Sequence, residues 1–125
     1  MKSPLEQIQS LEETICQLRK IDSKLDAGQI IRAFRENGKL LAFFERTKLE
    51  IIEAAKSRKP DEIQIEQDLF GYIQDLEEVI RQLHKINSLM YMGQIVSAYG
   101  CNNKLIGMLK RKLQMVSEKE VKNDK

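Results

Sequence analysis

Apolar residues recur at intervals of three and four along most of the chain, which is the period of one face of an α-helix. One such stripe covers residues 8–25 and a second covers residues 30–55. The same spacing returns in residues 73–90 and again in residues 95–116. Strict apolar alternation, the mark of a half-buried strand, does not occur, and valine is scarce. The pattern predicts an all-α chain of amphipathic helices.

The apolar stripes belong to an internal repeat. Residues 8–46 align without a gap on residues 73–111, and 19 of the 39 pairs are identical. Many of the other pairs are conservative, such as Phe34 with Tyr99, so both copies are expected to bury the same face. A unit of this length present twice favours a pseudo-symmetric bundle over a solenoid. We therefore predict a tandem duplication of a helical hairpin that forms a four-helix, bundle-like domain.

The repeat divides the chain into four parts. We assign residues 1–57 to helical repeat 1, residues 58–62 to a linker that includes Pro60, and residues 63–116 to helical repeat 2. Residues 117–125 are polar and are predicted to form a C-terminal tail. Ser3, Pro4 and Glu6 resemble the start of a capping box, which predicts that the first helix begins near residue 4.

Two sites in each repeat could end the first helix. One runs from Asp22 to Gly28 and the other is Asn37-Gly38. We favour the first, because Gly28 and Gly93 occupy equivalent places and Asp26 could cap a following helix. A turn at Asn37-Gly38 stays open as the alternative.

Asn37 and Asn102 occupy equivalent positions within the second apolar stripe of each repeat. One interpretation is a buried pair that sets the register of the bundle, and the other is a helix kink with the amide bonded to backbone. The remaining stripe positions predict the core. The predicted core residues are Ile15, Leu18, Phe34, Leu41, Phe44, Ile80, Leu83, Ile95, Ile106 and Leu109.

Residues able to carry catalysis are few. His84 is the only histidine, and no serine, cysteine or aspartate is evidently arranged beside it. The acidic pairs that begin at Glu12 and Glu77 lack a histidine three residues on, so they do not form the Glu-x-x-His motif of di-metal bundles. Cys16 and Cys101 are expected to be free thiols. We predict no enzyme, no catalytic residue, no cofactor and no metal site.

Charge separates the second repeat from the first. The chain carries a formal net charge of +2, yet residues 61–78 hold seven acidic and no basic residues. Residues 79–116 hold six lysines and arginines and no acidic residue. This separation either pairs an acidic helix with a basic neighbour or forms a basic binding surface. The candidate partner-binding residues are Arg81, Lys85, Lys104, Lys110, Arg111 and Lys112.

Amphipathic helices without reactive groups supply surfaces rather than chemistry. We therefore expect a non-catalytic helical protein-interaction module, acting as an adaptor, a chaperone-like factor or a regulatory subunit, with a protein as its partner. The alternative is a nucleic-acid-associated accessory protein that uses the basic half of repeat 2. Association with a second copy of the chain also stays open. The first residues lack the apolar run of a signal peptide and no stretch is apolar enough to span a membrane, so we expect a cytoplasmic location and no membrane partner.

Overall fold

Four α-helices build the protein in the computed structural model, which describes residues 4–56 and 63–123, with side chains from 5–56 and 71–118. Helix α1 covers Pro4–Asp26 and α2 covers Ile30–Lys56. Helix α3 covers Ile63–Tyr91 and α4 covers Ile95–Asn123. Each helix packs against two neighbours in the ring order α1, α2, α3, α4, and no strand occurs in the described ranges. The predicted all-α, four-helix, bundle-like fold is confirmed.

The helices of each hairpin are joined by the same glycine turn. Gly28 and Gly93 have φ angles of 76° and 77°, which lie in the left-handed region. The amide of Gln29 donates to the carbonyl oxygen of Lys24 at 2.8 Å, and the amide of Gln94 donates to that of Leu89 at the same distance. This is the Schellman closure of a helix C-terminus, which favours glycine. The first helix therefore ends at the first of the two predicted sites.

Some boundaries differ from the prediction. Asp26 is the last residue of α1, so the expectation that it caps the next helix is wrong. Helix α1 does begin at Pro4, as predicted. The predicted linker at residues 58–62 lies outside the described residues. Helix α4 extends to Asn123, so residues 117–123 of the predicted tail continue the helix.

The core lies along the axis of the bundle and is built from equivalent positions of both repeats. Leu18 and Leu83, which the repeat aligns, are both fully buried, as are Ile21 and Ile86. Three predicted core residues, Phe34, Ile80 and Ile95, are only half-buried and pack against the buried core from outside. The other seven predicted core residues are buried: Ile15, Leu18, Leu41, Phe44, Leu83, Ile106 and Leu109.

Two fully buried asparagines cross-link the repeats. The Asn37 Nδ2 amide on α2 donates to the Leu83 carbonyl oxygen on α3 at 3.1 Å and to Asn87 Oδ1 at 3.3 Å. Asn102 on α4 repeats this arrangement on α1, where it donates to the Leu18 carbonyl oxygen at 2.9 Å and to Asp22 Oδ1 at 2.7 Å. Helix α2 passes Asn37 without a break. The arrangement supports the register-setting interpretation over the kink.

The asparagine bonds follow from how the two hairpins fit together. Contacts of α1 with α4 and of α2 with α3 are more extensive than those within either hairpin. Asn37, near the start of α2, contacts the last two turns of α3, so these two helices are antiparallel. Both glycine turns therefore lie at the same end of the bundle. Each repeat is half of a pseudo-twofold structure whose principal interfaces are those between repeats.

Candidate partner-binding surfaces

The six predicted partner-binding cations are spread around α3 and α4. Lys110, Arg111 and Lys112 are consecutive on α4, so their side chains leave the helix in three directions about 100° apart. Lys110 borders a cleft against α1, whereas Lys112 bonds to α3 on the opposite side of α4. The other four, Arg81, Lys85, Lys104 and Arg111, are exposed. The structure does not bring the six into one patch.

Two of these cations have carboxylate partners. Arg81 Nη1 lies 2.7 Å from Glu78 Oε2, one turn earlier on α3. Lys112 Nζ lies 2.8 Å from Asp75 Oδ2 and joins α4 to α3. Both carboxylates belong to the acidic stretch that precedes the basic one in the sequence. For Arg81 and Lys112, the charge separation therefore serves pairing within the bundle, the first of the two interpretations.

The interface of α2 with α3 is crossed by two polar bridges, and we name it the bridged cleft. His84 Nε2 lies 2.8 Å from Glu45 Oε1, and Lys48 Nζ lies 3.2 Å from Glu77 Oε1. All four side chains are partly exposed, so each contact is worth at most about 1 kcal/mol. Both contacts join α2 to α3.

The interface of α1 with α4 is the repeat equivalent of the bridged cleft, but it lacks both bridges. Arg19 and Lys110 stand where His84 and Glu45 form the first bridge, and Glu12 and Leu113 stand where Glu77 and Lys48 form the second. Two cations thus replace a bonded pair, and a leucine replaces the lysine. A cleft of about 430 Å³ lies here, which we name the open cleft. It is lined by Glu12, Ile15, Cys16, Arg19, Lys20, Ser23, Lys110 and Leu113.

The open cleft combines an apolar floor with a positive rim. Ile15 is buried and Leu113 half-buried, whereas Arg19, Lys20 and Lys110 are exposed. Within the described part of the chain these three cations make no hydrogen bond or ion pair. Glu12 is the one acidic side chain among the lining residues. Like charges that face each other without a partner are unfavourable, so an anion that enters the cleft would be stabilised.

Sequence reasoning found Lys110 but missed Arg19 and Lys20. The charge pattern indicated basic residues of the second repeat only, whereas the open cleft is lined by two cations from the first repeat and one from the second. The repeat alignment held a usable signal, since it pairs Arg19 with His84 and Lys110 with Glu45. Only the topology shows that these positions meet across an interface.

A second surface surrounds the two glycine turns, and we name it the turn-end surface. Ile31 and Val96 are equivalent residues in the two repeats and are 76% and 87% exposed. Tyr91 is 83% exposed, and its ring centroid lies 6.5 Å from that of Phe34. Met92 and Tyr99 add further exposed apolar area at this end. Exposed tyrosine and methionine side chains such as these are enriched in interaction surfaces.

Two ionisable groups have shifted pKa values. Burial raises the pKa of Asp22 above its ordinary value of 3.8, and the hydrogen bond from Asn102 opposes this shift. At the end of the bundle opposite the turns, burial and the nearby charge of Asp75 raise the pKa of Tyr72. Tyr72 lines a largely apolar cavity of about 240 Å³ to which all four helices contribute.

Among residues 4–56 and 63–123, no three His, Cys, Asp or Glu side chains are grouped as metal ligands would be. Cys16 is exposed, Cys101 is half-buried, and both are free thiols, as expected. None of the described helices combines the length and apolar character required to cross a bilayer.

Comparisons of the chain with protein-family models, with curated proteins and with solved structures gave no match.

Proposed function

We propose that the protein is a non-catalytic helical protein-interaction module, acting as an adaptor, a chaperone-like factor or a regulatory subunit in the cytoplasm. The turn-end surface is the observation that carries this proposal. Both repeats keep a β-branched apolar residue, Ile31 or Val96, at a position that the bundle leaves almost fully exposed. Burying such side chains against another protein gains about 25 cal/mol for each Å² removed from water.

The composition of the turn-end surface also suits a protein partner. Tyr91 and Tyr99 present rings with a hydroxyl, and Met92 adds a flexible apolar side chain. Tyrosine and methionine are enriched in protein interfaces, where aromatic anchors often dominate the binding free energy. Two turns closed by hydrogen bonds hold the surface in place, so little ordering would be required on binding.

The test compares capture by the full chain and by two surface variants. The double variant Ile31→Ser/Val96→Ser removes one exposed apolar side chain of each repeat from the turn-end surface. Leu49→Ser is the matched control, because Leu49 is 62% exposed on α2 well away from the turns. Each protein is immobilised, incubated with native lysate and analysed by quantitative mass spectrometry.

We expect at least one protein to bind the unaltered chain and the Leu49→Ser control equally. The same protein should bind the double variant about tenfold more weakly or worse, because a hot-spot residue contributes about 2 kcal/mol to binding. Helical content by circular dichroism must be unchanged. If no protein distinguishes the double variant from the control, the turn-end surface is not a binding site and the proposal loses its support.

The nucleic-acid alternative stays a prediction, and the geometry supports it less well. Phosphate-binding proteins place several cations along one continuous track. Here Arg81 and Lys112 are paired with carboxylates, and Lys110 and Lys112 lie on opposite sides of α4. The open cleft has an apolar floor that a phosphate backbone would not use.

A further inference from the structure

We infer that the open cleft between α1 and α4 binds an acidic amphipathic helix of a partner protein. The inference deepens the proposed function and rests on it in one respect, that the partner is a protein. It concerns a different surface from the turn end. The inference rests on a comparison of two interfaces that the repeat makes equivalent. Because the two interfaces share the same fold, they differ only through the residues at which the repeats diverge.

The two clefts differ in charge. In the bridged cleft, Glu45 Oε1 lies 2.8 Å from His84 Nε2. In the open cleft the equivalent of Glu45 is Lys110, and it borders the same space as Arg19 and Lys20. The carboxylate that the protein supplies on one side of the bundle is missing on the other. A partner that brings Asp or Glu side chains to this place would restore the pairing.

The two clefts also differ in their apolar lining. In the bridged cleft, Lys48 and Glu77 form a polar bridge between α2 and α3. In the open cleft Leu113 replaces the lysine, so Leu113 and the buried Ile15 line the cleft with no such bridge between α1 and α4. An occupant should therefore have apolar side chains between its carboxylates. That pattern distinguishes an acidic amphipathic peptide from a free anion or a nucleic-acid backbone.

The length of the open cleft suits a helix. The lining residues of α1 span residues 12–23, which is about 17 Å at 1.5 Å per residue. A groove between two packed helices accepts the ridge of a third, and amphipathic helices bind such grooves through residues spaced three and four apart. A helical peptide of about 15 residues would cover the cleft.

The experiment selects peptides from an unbiased display library of about 15 residues against the full-length protein, at about 50 mM salt where charge pairing is weakly screened. Selected peptides are synthesised with a fluorescent label, and their binding is measured by anisotropy. We expect the enriched pool to carry Asp or Glu together with Leu, Ile or Phe at helical spacing. We also expect its affinity to fall as the salt is raised to about 300 mM.

The decisive variant is Lys110→Glu, which copies Glu45 into the open cleft. The new carboxylate should bond Arg19, raise the midpoint of thermal unfolding by about 2 °C, and lower peptide affinity at least tenfold. A variant that gains stability while losing binding cannot owe the loss to misfolding. Arg32→Glu makes the same charge change on an exposed part of α2 outside the cleft lining and should bind normally.

Cys16 reports where the peptide binds, since it is exposed and lines the cleft. In the Cys101→Ser background, selected peptides should slow alkylation of Cys16 by iodoacetamide at least fivefold. A pool without acidic excess, equal binding to Lys110→Glu, or unchanged Cys16 reactivity would each overturn the inference. So would a single-stranded DNA probe that binds more tightly than the peptides and loses affinity in Lys110→Glu.

The same peptides separate this inference from the proposed function. Ile31→Ser/Val96→Ser alters only the turn end, so the selected peptides should bind it as they bind the unaltered chain. Peptides lost in that variant but kept in Lys110→Glu would overturn the open-cleft inference and leave the protein-interaction function standing. If the selected peptides bind but no lysate protein distinguishes Ile31→Ser/Val96→Ser from its control, the proposed function loses its support and the open-cleft inference stands.

Discussion

Single polar residues in the core distinguish this bundle from one held together by apolar contacts alone. Asn37 and Asn102 are fully buried, and each donates two hydrogen bonds to the other repeat. Their Oδ1 atoms are buried without a partner among the described residues. A buried amide that is only partly bonded costs stability and is kept where it restricts the packing to one register.

Asn37→Leu should therefore raise thermal stability, by about 1 kcal/mol in the free energy of unfolding, while making the packing less unique. Leucine fills a similar volume and removes the unpaired acceptor. Calorimetry would give the stability. Broadened or duplicated resonances in a ¹⁵N correlation spectrum would show the loss of a single packing. Lower stability with sharp, single resonances would mean that the amide acts through its bond strength and not through register.

The residues that receive these bonds differ between the repeats, and they predict a pH effect. Asp22 receives the bond from Asn102, whereas Asn87 receives the bond from Asn37. Burial raises the pKa of Asp22 in the folded state, so the folded protein holds this proton more tightly than the unfolded chain. Stability due to Asp22 is then greatest below about pH 4 and falls as pH rises through the raised pKa.

Asp22→Asn should abolish this fall and make the protein more stable at pH 7, because asparagine keeps the acceptor oxygen without the buried charge. Urea unfolding between about pH 3 and pH 7 would measure it. The reciprocal change Asn87→Asp is the control and should introduce a second fall of the same sign. An Asp22→Asn variant that is less stable at pH 7 would show that the charged hydrogen bond with Asn102 outweighs the desolvation.

At the scale of the elements, the sequence predicted most of the fold because periodicity and internal repetition agree. The apolar stripes predicted the four helices, and the equivalence of Gly28 with Gly93 predicted the position of the turns. The Asn37-Gly38 signal did not end α2, because Asn37 finds its partners on α3 rather than in a local turn. Propensity alone could not decide this point, since it depends on a contact across 46 residues of sequence.

The glycines of the structure give a direct test of the turn. Gly28→Ala should lower the free energy of unfolding by about 1 kcal/mol, because alanine is strained at a φ of 76°. Gly93→Ala should cost a similar amount. Gly38→Ala is the matched control: it lies inside α2 with no atom within 4 Å of the added carbon, so it should stabilise the protein by about 0.5–1 kcal/mol. Urea denaturation of the three variants, at equal slope, provides the comparison.

For the whole molecule, duplication supplies an internal comparison that a single hairpin would not. Where the repeats agree, the structure is symmetric: the turns, the buried leucines and the asparagine bonds. Where they differ, as at Glu45 and Lys110, one side of the bundle is bridged and the other is open. The candidate site was only partly predictable, because a charge pattern along the chain does not show which helices become neighbours.

The two clefts lie on opposite sides of the bundle, so their energetics should be independent. Glu45→Lys opens the bridged cleft by replacing the carboxylate that contacts His84 with a lysine, and it should lower the free energy of unfolding by about 0.5 kcal/mol. Lys110→Glu should raise it by a similar amount. The double variant exchanges the two charges, keeps the net charge, and should be as stable as the unaltered protein, because distant sites add.

Urea unfolding of all four proteins at low and at high salt would test this exchange. The opposite effects of the single variants should both shrink at high salt, where exposed charges are screened. Peptide binding should not follow stability. The double variant should fail to bind the peptides although it is as stable as the unaltered chain, because its new glutamate at position 110 bridges the cleft between α1 and α4. If binding returned in the double variant, overall charge rather than the open cleft would be the determinant. A coupling above about 0.5 kcal/mol between the two sites would instead show that the clefts communicate through the core.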